Sequence, residues 1–349
     1  MAQTTPSTLR HSTPPERNRG YRPAWWLPGP HLPTLWAARA RPVPRVPVRI
    51  ERLELPDGDF LDLAFTPEAS ESQAPLVVIL HGLEGSMDSP YARRLMHAVA
   101  ARGWTACVMH FRGCSGVPNR LPRSYHSGDT GDIAFVLDTL SARQPKRPLT
   151  AAGFSMGGNV LLKYLGERGV ATPLSAAVAV SVPFDLAAAA ERLAQGFSRV
   201  YQSHLIGHLK ARMRAKLRIH PHLPFSAREL ARVRSFREYD DWVTAPLHGF
   251  AGADEYYATS SSARFVGAVK QPTLVLHARD DPFLPASAVP QARDCGPGIT
   301  LELPAHGGHI GFVTDPFPGL VRPWLEERLC AFLENALPPA APRHGGLHG

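Results

Sequence analysis

The sequence predicts an α/β fold: a mostly parallel eight-stranded sheet with helices on both faces and an inserted helical cap. Two observations carry that prediction. Short, continuous apolar runs such as PLVVILHG (75–82) alternate with amphipathic segments such as YARRLMHAVAARG (91–103). Strands buried on both faces read as unbroken apolar runs, and their alternation with helices is that of parallel β-α-β units. The rhythm stops over 184–265, where helical patterns occur without a buried strand, and it resumes at PTLVLHA (272–278).

Taken in order, the chain starts with a polar stretch rich in Pro, Thr and Arg (1–20), which reads as a disordered tail. YRPAWWLPGPHLPTLW (21–36) holds three tryptophans, which need a surface to pack on, so an ordered arm lying on the body is expected. VPVRIERLEL (46–55), the turn PDGD and FLDLAF (60–65) read as a hairpin. Buried strands follow at 75–82, 105–111, 149–154, 175–183, 272–278 and 299–304. Helices are expected at 91–103, 129–143, 156–169 and 323–337, the first stopped by Gly103 and the second carrying acidic residues in its first turn. The main domain therefore spans 21–337, with the cap inserted over about 184–265, and 338–349 reads as a flexible tail.

A chain of 349 residues, 44% hydrophobic and 19% charged, supports a sizeable core. The net charge is +8, but no block of five or more like charges occurs. The charge therefore reads as spread over the surface, and no nucleic-acid partner is expected. The basic stretch HLKARMRAKLRIH (208–220) and the Trp-rich arm leave weak peripheral membrane contact as a secondary reading. The longest apolar run, 175–190, is interrupted by Pro183 and Asp185, so no membrane span is expected. Cys107, Cys114, Cys295 and Cys330 form no C-x-x-C pair. Reduced thiols in a cytoplasmic protein fit this spacing, whereas a disulfide framework or zinc ribbon does not. The first twenty residues lack the apolar core of a secretion signal.

The chemistry concentrates around GFSMG (153–157), which lies between an expected strand and an expected helix. Two glycines around one serine make a poor strand but a good sharp turn. In this context G-x-S-x-G is a nucleophile elbow, with Ser155 as the nucleophile and Gly153 and Gly157 letting neighbouring backbone pass close by. A serine hydroxyl needs a base, and the base an orienting acid; on this fold the order is Ser, acid, His. LVLHARDDPFLP offers Asp280 and Asp281. Asp281 is preferred because Asp-Pro-Phe-Leu-Pro resembles the D-x-x-x-P turn at this position. LPAHGGHIGFV offers His306 and His309. His309 is preferred because the Gly-Gly pair before it gives the loop freedom to bring the imidazole over Ser155. The oxyanion donors are expected to be the backbone N–H groups of Met156 and Leu83. No metal site is expected: His306-x-x-His309 lacks a third ligand nearby, and His204 and His208 are not part of H-E-x-x-H. No cofactor is required.

HGLEGSMDSPYARRLM, GWTACVMHFRGCSGVPNR, YHSGDTGDI, GFSMGGNVLLKYLGE and DDPF…GGHIGF together resemble the YheT-like branch of the α/β-hydrolases, which is related to the animal ABHD-type lipid esterases. PGPHLPTLW resembles the His-x-x-Thr element that precedes the first strand in that branch, and the resemblance covers about 21–335. It implies an α/β-hydrolase fold with a helical cap and the triad Ser155, Asp281 and His309. It also implies hydrolysis of carboxylic esters, either short- to medium-chain acyl esters or acylglycerols, through an acyl-enzyme. The alternatives are an acyltransferase or thioesterase with the same triad, or a non-catalytic protein that binds anionic lipid or nucleic acid. RGCSG (112–116) and YHSGD (125–129) belong to the resemblance, but spacing assigns no chemistry to Cys114 or His126. Phe184, Phe197, Tyr201 and Phe225 either line the pocket or form ordinary cap core. The oligomeric state is not legible.

Overall fold

The structure, a computed structural model, describes residues 20–68, 73–320 and 322–337. The tails expected at 1–20 (Gly20 apart) and 338–349 lie outside the described residues. In chain order the first elements are α1 (His31–Arg39), β1 (Arg49–Glu54), β2 (Phe60–Phe65), β3 (Leu76–Leu80), α2 (Pro90–Ala100) and β4 (Thr105–Met109). Next come α3 (Gly131–Arg143), β5 (Leu149–Phe154), α4 (Met156–Arg168) and β6 (Ala176–Val180). A helical stretch follows: α5 (Leu186–Leu193), α6 (Ser198–Ile219), α7 (Ala227–Arg232), α8 (Phe236–Tyr239), α9 (Ala245–His248) and α10 (Ala253–Ser260). The chain closes with β7 (Thr273–Leu276), β8 (Ile299–Glu302) and α11 (Trp324–Ala336).

The eight strands form one sheet in the order β1-β2-β4-β3-β5-β6-β7-β8. β1 and β2 pair antiparallel and β2 joins β4 antiparallel, while every pair from β4 to β8 is parallel. Alternation along β3 shows why both faces are covered. Leu76, Val78 and Leu80 pack with Ile133 and Val136 of α3 and Val160 and Leu161 of α4. Val77 and Ile79 pack with Leu95 and Val99 of α2 and Leu329 and Leu333 of α11 on the other side. Successive strand side chains point to opposite faces, so a buried parallel strand must be apolar throughout.

The expected strands at 75–82 and 175–183 are longer than the observed ones. β3 ends at Leu80 and β6 at Val180, because His81, Gly82 and Ser181 leave the ladder at its C-terminal edge to form loops. α3 starts at Gly131, so Asp132 alone supplies its acidic first turn, and Asp129 instead pairs with Arg123.

The 184–265 segment carries α5–α10 and, among the described residues, no strand. It has its own core, including Leu209, Met213, Phe225 and Tyr239. α6 ties it to the body. Lys216 is buried and donates to the Leu121 and Arg123 carbonyls (2.8 Å each) and to Asn119 Oδ1 (2.6 Å). Arg212 Nε donates to Glu84 (2.9 Å) and its guanidinium also meets the Gly113 carbonyl. Two of the five cations of the 208–220 stretch therefore serve the interior rather than an outer basic face.

The N-terminal arm is ordered and lies on the body, as its tryptophans suggest. The Trp26 indole donates to the Asp315 carbonyl (2.8 Å) and packs edge-on against Trp36. Arg41 forms a buried ion pair with Glu326 of α11 (3.1 Å). None of the described helices is long and apolar enough to cross a membrane.

Candidate active site

The elbow forms because β5 runs straight into α4 with one residue between them. Ser155 is that residue, at φ 52° and ψ −121°, a conformation non-glycine residues rarely hold. Its amide donates to the Val180 carbonyl (2.9 Å), and its carbonyl accepts from Gly158 and Asn159. The glycines matter for space. A Cβ on Gly153 would lie 2.6 Å from the Gly157 carbonyl oxygen. One on Gly157 would come closer than 3.0 Å to the Leu80 and His81 carbonyl oxygens.

The loop after β7 and the loop after β8 meet over this serine. His309 Nε2 lies 3.0 Å from Ser155 Oγ, and His309 Nδ1 lies 2.9 Å from Asp281 Oδ2. A carboxylate only accepts, so Nδ1 carries the imidazole proton and Nε2 offers its lone pair to the serine hydroxyl. Asp281 is buried, and its Oδ1 also accepts from the Phe283 amide (2.8 Å). Burial works to raise its carboxyl, but the charge and hydrogen bond of His309 and the Phe283 amide outweigh it and hold the group below its ordinary value. The other members of each sequence pair meet one another. Asp280 accepts from the Gly308 amide (2.9 Å) and faces the exposed His306 (3.2 Å).

The Gly-Gly pair before His309 calls for a correction. Its glycines serve close packing rather than loop freedom: Gly308 has φ 60°, and a Cβ there would collide with the Pro30 carbonyl oxygen and Thr34 Oγ1. The His309 loop is thus pressed against the N-terminal arm. Thr34 Oγ1 accepts from the His309 amide (2.8 Å) and donates to the Pro30 carbonyl (2.7 Å). The Phe283 ring stacks on the His309 imidazole, with centroids 3.8 Å apart and planes 4° from parallel. Tyr201 packs behind Phe283, and its hydroxyl lies 3.2 Å from His31 Nδ1. Sequence reasoning saw the His31-x-x-Thr34 element but gave it no task; its contacts lie on the far side of the chain.

The loop after β3 carries Leu83, and α4 opens with Met156. The Gly82 amide is taken by the Tyr91 hydroxyl (2.7 Å). Among the described residues the Leu83 and Met156 amides have no acceptor. Buried His81 holds the loop from within: Nδ1 donates to the Gly82 carbonyl (2.7 Å) and Nε2 accepts from the Phe111 amide (3.2 Å). Burial pushes its imidazole down to about 3, so it stays neutral in that tautomer. Glu84, at φ 56°, is fixed by Tyr125, whose hydroxyl accepts from the Glu84 amide (3.0 Å) and donates to its carboxylate (2.6 Å). Tyr125 thus gives the YHSGD segment a task. Cys114 is buried beside it, and burial pushes its thiol up to about 12, so it is held as the neutral thiol.

Two clefts meet at Ser155. One runs beneath the cap past Met156, Leu186, Leu209 and Val243 and has a volume of about 120 Å³. The other lies between α1 and α6, bounded by Thr34, Arg39, Tyr201 and His204. Of the four cap aromatics, Phe184 and Phe225 are core, Tyr201 lines the second cleft, and Phe197 is exposed. His204 and His208 are exposed and pack ring against ring.

Residues 75–316 match the family described as alpha/beta hydrolase fold. The chain is 44% identical over 291 residues to the "Putative esterase YheT" of Escherichia coli, covering 82% of this chain and 85% of that protein. It is 31% identical to a monoacylglycerol lipase of Saccharomyces cerevisiae (76% and 60% covered) and 30% identical to the mouse phospholipase ABHD3 (82% and 74% covered). An esterase of Pyrococcus furiosus, 16% identical, shares the fold with a TM-score of 0.53 over 84% of this chain and 97% of that one.

Proposed function

The chain belongs to the α/β-hydrolase fold family, and on that premise we propose that it is an esterase- or lipase-type hydrolase that cleaves carboxylic esters through a Ser155–His309–Asp281 triad. The observation that carries the reading is the continuous relay from Ser155 Oγ through His309 to Asp281, at 3.0 and 2.9 Å. In the first step Ser155 Oγ attacks the ester carbonyl carbon while His309 Nε2 takes its proton. Asp281 orients the imidazole and stabilises the imidazolium. The Leu83 and Met156 amides receive the developing oxyanion. The tetrahedral intermediate collapses, and the alcohol leaves with the proton from His309. Water, deprotonated by the same imidazole, then releases the acid.

The two clefts give each half of an ester its own path away from the serine. The capped cavity of about 120 Å³ is close in size to cavities of about 150 Å³ that hold a benzene molecule. A cavity of that size fits a short acyl chain, within the proposed class of short- to medium-chain acyl esters or acylglycerols. The relatives named as esterase, monoacylglycerol lipase and phospholipase support the same reaction type.

The test is the covalent intermediate. Mixing with p-nitrophenyl acetate and quenching early is expected to leave one acetyl group on the peptide that contains Ser155, found by mass spectrometry. An acetyl group elsewhere, or none under conditions of turnover, removes the proposal. A second expected result concerns the arm. Thr34→Val deletes the acceptor of the His309 amide, a loss on the order of 1 kcal/mol. It is expected to lower kcat/KM about tenfold by loosening the base. An unchanged kcat/KM in a folded variant would show that the arm does not position His309.

A further inference from the structure

The cavity beneath the cap has a polar patch that the ester chemistry leaves unused. His126 and His248 line the same cavity as Ser155, with their rings 4.6 Å apart. His126 Nδ1 accepts from the Gly128 amide (3.1 Å). Its proton therefore sits on Nε2, and among the described residues nothing accepts from that group. Neither ring nitrogen of His248 has a hydrogen-bond partner among the described residues. The patch is rigid: Tyr256 packs edge-on against His126 and accepts from the Ser127 amide (3.0 Å), and Asn159 donates to the Ser127 carbonyl (2.8 Å). Neighbouring Asp240 lines the same cavity and accepts from Tyr257 and Thr244 (2.8 and 2.7 Å).

Burial pushes both imidazoles down to about 3, so each is neutral at neutral pH. A neutral pair makes a poor site for an ion. It offers one obligate donor, His126 Nε2–H, beside a ring that can donate or accept. A hydroxyl, which accepts through its oxygen and donates through its hydrogen, is a small group that satisfies both. We propose that His126 and His248 form a hydroxyl-binding subsite in the Ser155 cavity, selecting esters that carry a hydroxyl on the acyl chain or on the alcohol. The proposal rests on the ester-hydrolase reading and adds a substrate feature to it.

The experiment compares kcat/KM for four esters of one chain length: propyl octanoate, glyceryl octanoate, and propyl octanoates hydroxylated near the carboxyl group or near the far end. At least one hydroxylated ester is expected to exceed propyl octanoate by about tenfold, the worth of roughly one hydrogen bond. The winning ester says whether the hydroxyl belongs to the acyl chain or the alcohol. In His126→Phe and in His248→Leu the ratio is expected to fall to within about twofold of one, while His248→Gln retains part of it. Labelling of Ser155 by a fluorophosphonate identifies variants that are folded. Equal turnover of all four esters, or a preference that survives both apolar substitutions, overturns the subsite and leaves the hydrolase reading standing. A wild type that neither cleaves any of them nor reacts with the fluorophosphonate overturns both.

Discussion

Ser155→Ala is expected to lower kcat/KM for p-nitrophenyl esters by about a thousandfold or more. The substitution removes one atom, Oγ, from the 3.0 Å contact with His309 Nε2. It leaves the backbone strain at φ 52° and the hydrogen bond from the Ser155 amide to the Val180 carbonyl in place. The Leu83 and Met156 amides also remain, so a small residual rate from binding and oxyanion stabilisation should persist. Because the three groups act as a unit, adding His309→Ala to Ser155→Ala should cost little more than either alone. The thermal midpoint should barely move, since no packing is lost. A variant that keeps more than about a tenth of the wild-type rate would place the nucleophile elsewhere.

Gly157→Ala is the second large effect, and it should strike stability and activity together. The new methyl would sit closer than 3.0 Å to two backbone carbonyl oxygens, those of Leu80 and His81. Neither can swing aside as a side chain can. β3 lies at the centre of the sheet, and His81 begins the loop that carries Leu83. Either α4 moves off the sheet, carrying Ser155 with it, or the loop moves away from the oxyanion position. Overpacking of this kind costs about 3 kcal/mol, which urea unfolding reads directly. The matched control is Gly207→Ala on the exposed face of α6, where a Cβ meets nothing within 4 Å. That change should stabilise by about 0.5–1 kcal/mol. Equal effects at the two glycines would show that crowding at the elbow is not what Gly157 relieves.

What could be read from the sequence divides along physical lines. The parallel sheet was legible because burial on both faces forces unbroken apolar runs, as in 75–82 and 149–154. The elbow was legible because three constraints fall within five residues: a sharp turn, close backbone and an exposed hydroxyl. The strand ends were less so, since His81 and Gly82 look like a continuation of β3 until their partners are known. Asp280 and Asp281 are adjacent and chemically equal; only the direction in which each points divides the imidazole partner from the loop brace. The tasks of Thr34 and Tyr125 escaped notice for a similar reason. Each works through a hydrogen bond to a segment distant in sequence, and nothing in the local pattern announces the bond. The same holds for His126, whose use depends on what α9 brings beside it.

The bond between Thr34 and the His309 amide spans 275 residues. Protein synthesis is directional, and this closure comes late. The Ser155 elbow and the strands beside it, β3, β5 and β6, are synthesised well before the loop that carries His309, whereas β7 and β8 emerge only shortly before it. A nascent chain therefore displays a hydroxyl with nothing to deprotonate it, beside an arm that has no loop to grip. Loops of this length close slowly compared with local structure, so the reactive group is armed only as the last strand and helix dock. Activity is in that sense a property of the finished polypeptide, and a ribosome-stalled or C-terminally truncated product should be chemically silent even with its nucleophile intact.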